Sequence, residues 1–140
     1  MSDVFKESFE IEAGDFASAG EASAKIKSIL RMIGIDPALT RRVTIASYEA
    51  ELNMIIHSQG GVMSVEISTE AIALFCEDTG PGIADIDMAM QEGYSTASSD
   101  VRMMGFGAGM GLPNMKKNSD EFSIHSDTNG TRLNMRFNMN

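Results

Sequence analysis

Glycine occupies every second position in Gly105-Phe106-Gly107-Ala108-Gly109-Met110-Gly111-Leu112. Lacking a Cβ and free to adopt φ > 0, alternating glycines let the main chain turn tightly and bring its N–H groups up to a ligand. The next segment, Met110 to Lys117, reads as a helix, so the run would lead into a helix N-terminus with unpaired donors and partial positive charge. That combination suits a polyphosphate. Two familiar phosphate loops are excluded: no register gives G-x-G-x-x-G, and neither Lys-Ser nor Lys-Thr follows. Taken alone, the run has a flexible linker as its alternative.

A chain of 140 residues, 43% hydrophobic, is long enough for one domain with a real core and too short for two comfortable ones. The expectation is a single domain over residues 1–140. No stretch approaches the roughly 18 consecutive apolar residues of a membrane span. The first residues, Met1-Ser2-Asp3-Val4-Phe5-Lys6-Glu7, lack the basic and apolar regions of a secretory signal, so a cytoplasmic protein is expected. Cys76 has no partner for an internal disulfide and reads as a small core residue. A net charge of −9 argues against nucleic acid and anionic membrane as direct partners.

Val4 to Ile11 alternates with the period of a half-buried edge strand. Gly20 to Ile33 carries Ala22, Ile26, Ile29, Leu30 and Ile33 at helical spacing, and Gly34 is placed to stop it. Asp36-Pro37 supplies an N-cap and a proline at the first helical position, opening a long helix to about Ser58. Val62 to Ser68 and the nearly continuous apolar run Ala71 to Cys76 predict two adjacent strands about Thr69-Glu70, the second more buried. Glu77 to Ile83 reads as a turn and Asp85 to Gln91 as a short helix. From Glu92 to Met104 no period holds, and the composition is that of a mobile loop. Glu121 to Ser126 and Arg132 to Phe137 close the chain as a strand pair around Asp127-Thr128-Asn129-Gly130. The order predicts an α+β two-layer sandwich with a mixed, largely antiparallel sheet and helices on one face.

On the long helix, Glu49, Asn53 and His57 stand four apart and share one face. A carboxylate stacked on a carboxamide could put a base beside an oxygen ligand for magnesium; a solvated polar face would show the same spacing. His57 reads as a helix-end residue. Asp78-Thr79-Gly80-Pro81-Gly82-Ile83 places a carboxylate at a strand end before two glycines, which suits a hydrogen bond from a flat ligand or an ordinary turn.

These boxes in this order, Glu49-x-x-x-Asn53, Asp78-x-Gly80-x-Gly82-Ile83, Gly107-x-Gly109-x-Gly111-Leu112 and Gly130-Thr131, resemble the GHKL ATPases: gyrase, the heat-shock chaperone ATPases, histidine kinases and MutL. The resemblance covers essentially the whole chain. Gly93-Tyr94-Ser95-Thr96, Gly111-Leu112-Pro113-Asn114 and Asp120-Glu121-Phe122 look most like the anti-sigma-factor serine/threonine kinases of bacterial partner-switching systems. The resemblance implies a Bergerat ATP-binding fold, a left-handed-crossover sandwich holding ATP between the long helix and a lid at about residues 92–106. It makes Asn53 the magnesium ligand and Glu49 the general base. Asp78 would accept from the adenine amino group, helped by Thr131 through water. Gly80 and Gly82 would shape the adenine pocket, and Gly107, Gly109 and Gly111 would cradle phosphate. Ile83, Gly105, Met110 and Leu112 complete the implied nucleotide contacts.

The function implied is an ATP- and magnesium-dependent serine/threonine kinase that phosphorylates an antagonist protein and so regulates a sigma factor or another effector. A homodimer through the first strand is also compatible with the resemblance. Glu51 stands beside Glu49, so choosing Glu49 as base rests on its spacing to Asn53. Two alternatives stay open: a non-catalytic switch that reports ATP or ADP to a partner, and a stand-alone histidine kinase catalytic domain.

Overall fold

Alternating apolar residues on neighbouring strands must share a face to leave water together. In the computed structural model, which describes residues 4–80, 90 and 111–139, five strands meet this demand in the order β1-β2-β3-β5-β4. They are β1 (Phe5–Ile11), β2 (Gly61–Ile67), β3 (Ala71–Asp78), β4 (Glu121–Asp127) and β5 (Gly130–Asn138). A mixed sheet was expected; among the described strands all four pairings are antiparallel. β1 lies at one edge, as its alternation predicts, and β4 at the other.

The register aligns Met63 with Cys76 and Cys76 with Leu133, and likewise Val65 with Leu74 and Leu74 with Met135. All six side chains are buried on one face. Among the described residues three α-helices cover it: α1 (Glu21–Met32), α2 (Pro37–His57) and, after the glycine run, α3 (Gly111–Asn118). They contribute Ile26 and Leu30 from α1, Val43, Ala46, Ala50 and Met54 from α2, and Leu112 and Met115 from α3. Among the described residues no helix packs on the opposite face. Phe75 is exposed there although it belongs to the apolar run of β3, so burial alternates from Ile72 to Glu77, after a start at which Ala71 and Ile72 are both buried.

Element ends follow their hydrogen bonds. Asp36 caps α2 by accepting from the N–H groups of Ala38 and Leu39 at 3.1 and 3.2 Å, with Pro37 in the first turn. Gly34 ends α1 as expected, and the Ile35 N–H returns to the Leu30 carbonyl at 3.0 Å. β3 runs two residues beyond Cys76 because Asp78 still pairs with Gly61. β5 starts at Gly130, which pairs with Asp127 across the two-residue turn Thr128-Asn129. Several expectations lie outside the described residues: the 85–91 helix apart from Met90, the 92–106 lid, and Gly82, Ile83, Gly105, Gly107, Gly109 and Met110.

Candidate nucleotide site

Helix α2 carries the candidate residues because its own apolar side chains fix its rotation. Val43, Ala46, Ala50 and Met54 are turned onto the sheet and fully buried. That leaves Glu49, Asn53 and His57 half-buried along one flank. The flank faces α3: the Asn114 amide donates to Glu49 Oε2 at 3.3 Å. Gly111, the first residue of α3, lies beside the same carboxylate, where an added Cβ would stand 3.7 Å from Oε2. The helix start that closes the glycine run is thereby placed next to the Glu49 and Asn53 stripe.

Glu51 plays a different part. Two residues along a helix is a rotation of roughly 200°, so Glu51 leaves α2 on the flank opposite Glu49. It is 2% exposed and accepts from the backbone N–H groups of Gly20 at 3.1 Å, Ala22 at 3.2 Å and Ser23 at 3.1 Å. Gly20 is the N-cap of α1 and has no side chain to offer, so Glu51 caps α1 from a neighbouring helix. Of the two carboxylates in this box, only Glu49 faces the start of α3.

Arg42 holds α3 at its other end. Its Nε donates to the Asn118 carbonyl at 2.9 Å and its Nη2 to Asp120 Oδ1 at 3.0 Å, while Asp120 Oδ2 accepts from Asn138 N at 2.7 Å. The Asn138 N–H, followed by Arg42, holds the Asp120 carboxyl below its ordinary range against some loss of hydration. One clasp thus joins α2, the C-terminus of α3 and the last strand.

Asp78, at the end of β3, accepts from the Thr131 N–H at 3.0 Å, bringing together two residues 53 positions apart. Thr131 is buried, and its hydroxyl lies 2.9 Å from Ser126 Oγ. Gly130 allows this approach. Its φ is +152°, and a Cβ there would collide with the Asp78 carbonyl oxygen and stand 3.1 Å from Thr79 Cα. The segment after Asp78 is tied on both sides: the Gln59 N–H donates to the Thr79 carbonyl at 2.7 Å, and the Gly80 N–H to the Asn129 carbonyl at 3.3 Å. Partial burial raises the Asp78 pKa, opposed by the Thr131 N–H. A rigid, partly desolvated acceptor of this kind suits a donor on a flat ligand.

His57 closes α2, and burial lowers its pKa. Cys76 is core, as expected; burial first and the Asp78 charge second push its thiol up to about 12. Leu112 is buried beneath the start of α3 as a core residue. The sequence reading did not find Asn114 as the partner of Glu49, Arg42 as the clasp, or Glu51 as a cap. Only the Glu51 role had a local sign, the glycine at the N-cap of α1.

Among the described residues no three of His, Cys, Asp and Glu gather where they could hold a metal ion. Magnesium beside phosphates usually keeps several waters and takes only one or two protein oxygens, so the Glu49 and Asn53 pair fits that donor chemistry. No described helix is long and apolar enough to cross a membrane.

The site thus joins the capped helix α2 to the start of α3 through Glu49 and Asn114, and the end of β3 to the Gly130-Thr131 turn through Asp78. Residues 13–137 match the model of the histidine kinase-like ATPase domain, and the chain belongs to that family. It is 30% identical over 104 residues to the serine/threonine-protein kinase RsbT of Bacillus subtilis (strain 168), covering 71% of this chain and 72% of the relative. It is 33% identical over 127 residues to an anti-sigma F factor of Clostridium kluyveri, covering 85% and 86% respectively. An anti-sigma F factor of Pasteuria penetrans is 32% identical over 118 residues, covering 78% and 75%.

Proposed function

We propose that the protein is an ATP-dependent serine/threonine kinase that phosphorylates an antagonist protein and thereby governs the capture or release of a sigma factor or another effector. The observation that carries this reading is the division of labour on α2. Glu51 is consumed as a buried cap, whereas Glu49, one turn from Asn53, faces the start of α3. The names of relatives covering most of the chain, a serine/threonine kinase and anti-sigma F factors, support the same class.

In this reading Asp78 accepts from the adenine amino group, with Thr131 behind it and Gly80 and Gly82 shaping the pocket beside Ile83. The glycines at 105, 107, 109 and 111, with Met110 and Leu112, present backbone donors to the phosphates. Asn53 would hold magnesium, which would supply positive charge to offset the charge that develops on the phosphates. Glu49 accepts the proton of the partner's hydroxyl as that oxygen bonds to the γ-phosphorus. The bond to the bridging oxygen breaks and ADP leaves. Little covalent work is asked of the protein; positioning and charge neutralisation carry most of the rate.

The test is transfer of radiolabelled γ-phosphate to purified antagonist-like domains encoded near this gene. Phosphate stable to acid is expected on the partner, and Glu49→Gln should reduce transfer about 10²- to 10⁴-fold while ATP still binds. Acid-labile phosphate would indicate histidine transfer instead. If wild type binds ATP yet transfers to none of these domains, the kinase reading fails. Partner affinity that still responds to ATP against ADP would then favour the switch.

A further inference from the structure

Between α1 and the N-terminal half of α2 lies a cleft of about 610 Å³, within the size range of ligand sites, whose Ile45 stands one turn before Glu49. Ile35, Pro37 and Ile45 give it apolar surface, and Lys27, Arg31 and Arg41 line it as well. Lys27 and Arg31 are four apart on α1 and project from one face. Thr40 and Thr44, also in the lining, donate their hydroxyls to the carbonyls of Ile35 and Thr40 at 3.5 and 2.7 Å.

The charge here runs against that of the chain. Net charge is −9, yet three of the eleven Lys and Arg line this one cleft, and no acidic residue does so among the described residues. None of the three forms an ion pair with a described residue, whereas Arg42, the next residue along, is held by Asp120. At the same end of α1, Met32 and Ile33 are 84% and 52% exposed. Cations with no ionic partner among the described residues, around an apolar floor, complement a segment that offers carboxylates and an apolar side chain together.

We propose that this cleft docks an acidic, amphipathic segment of a protein partner, its apolar side chain on Ile35 and Ile45 and its carboxylates on Lys27, Arg31 and Arg41. An anionic membrane is the weaker match, because three cations in a concave cleft on a strongly acidic protein offer no flat basic face. The cleft shares no residue with the proposed nucleotide site, so the two readings stand or fall separately.

The probe is a fluorescein-labelled amphipathic peptide with Glu and Leu at helical spacing, compared with the same peptide carrying Lys for Glu. Binding is followed by fluorescence anisotropy and by amide chemical shifts of the intact protein. The Glu peptide is expected to bind and to shift amides at residues 27–35 and 37–45. Arg31→Glu/Arg41→Glu should weaken it at least tenfold while ATP affinity is unchanged. Arg31→Ala/Arg41→Ala, which adds no new charge, should weaken it in the same direction. Absence of binding, equal binding by the variants, or equal binding of the Lys peptide would overturn the proposal. Arg31- and Arg41-dependent binding to phosphatidylserine vesicles, with no peptide binding, would overturn it in favour of a lipid surface.

Discussion

The Glu51 carboxylate lies 3.1 Å from the backbone nitrogen of Ser23, so the long helix α2 supplies the N-terminal cap that α1 lacks. Replacing Glu51 with Ala leaves the N–H groups of Gly20, Ala22 and Ser23 without this acceptor in a largely buried place. A loss of about 2–3 kcal/mol is expected in urea or thermal unfolding. Glu49→Ala, removing a half-buried carboxylate with one 3.3 Å contact to Asn114, should cost under about 1 kcal/mol. Phosphoryl transfer should show the reverse order, with Glu49→Ala the more damaging once both proteins are folded.

In the proposed site Asp78 serves the nucleotide at a cost to the empty protein. Its folded pKa is raised, chiefly by burial, so its favourable contribution is complete below the unfolded value of about 4 and is lost as pH rises through the folded value. At neutral pH the charged side chain is a burden. Asp78→Asn retains an oxygen that can accept from Thr131, so its melting temperature at pH 7 should equal or exceed that of wild type, while nucleotide affinity falls. A marked loss of stability at pH 7 would contradict this assignment.

Asp120 should behave in the opposite sense. The Asn138 N–H and Arg42 hold its folded pKa down, so the stability it contributes is present above about pH 4 and is lost as pH falls through the folded value. In melting temperatures measured from neutral to acid pH, Asp120→Asn should lower the neutral plateau and flatten the acid limb. Arg42→Ala should cost about 1 kcal/mol and speed hydrogen exchange in α3, whose last carbonyl it holds.

Gly130→Ala should cost about 2–4 kcal/mol, because a Cβ would meet the Asp78 backbone from a residue at φ +152°. The same change should push Asp78 away from Thr131 and impair nucleotide binding even below the melting temperature.

Local chemistry made much of this architecture legible. Asp36-Pro37 announces the start of α2, Gly34 the end of α1, and the alternation of Val62 to Ile67 the buried face of β2. Spacing also placed Glu49 and Asn53 on one face and read Asp78 at the end of a strand. What escaped is whatever depends on contacts distant in sequence. The Glu51 cap spans 28 positions to Ser23, and the Arg42 clasp 78 positions to Asp120. β3 continues through Asp78 because Gly61 is there to pair with it, although Glu77 and Asp78 read as turn formers. Likewise Phe75 looks like core in an apolar run, but the two-residue period of the strand turns it to the face opposite buried Leu74 and Cys76.

Titration calorimetry with magnesium-ATP and ADP, comparing wild type with Asp78→Asn, tests the nucleotide site most directly. Wild type should bind both, and at roughly 100 times the dissociation constant the ligand should add about 2.7 kcal/mol of stability, absent in the variant. Binding by neither nucleotide, or equal binding by Asp78→Asn, would contradict the site and the kinase reading built on it.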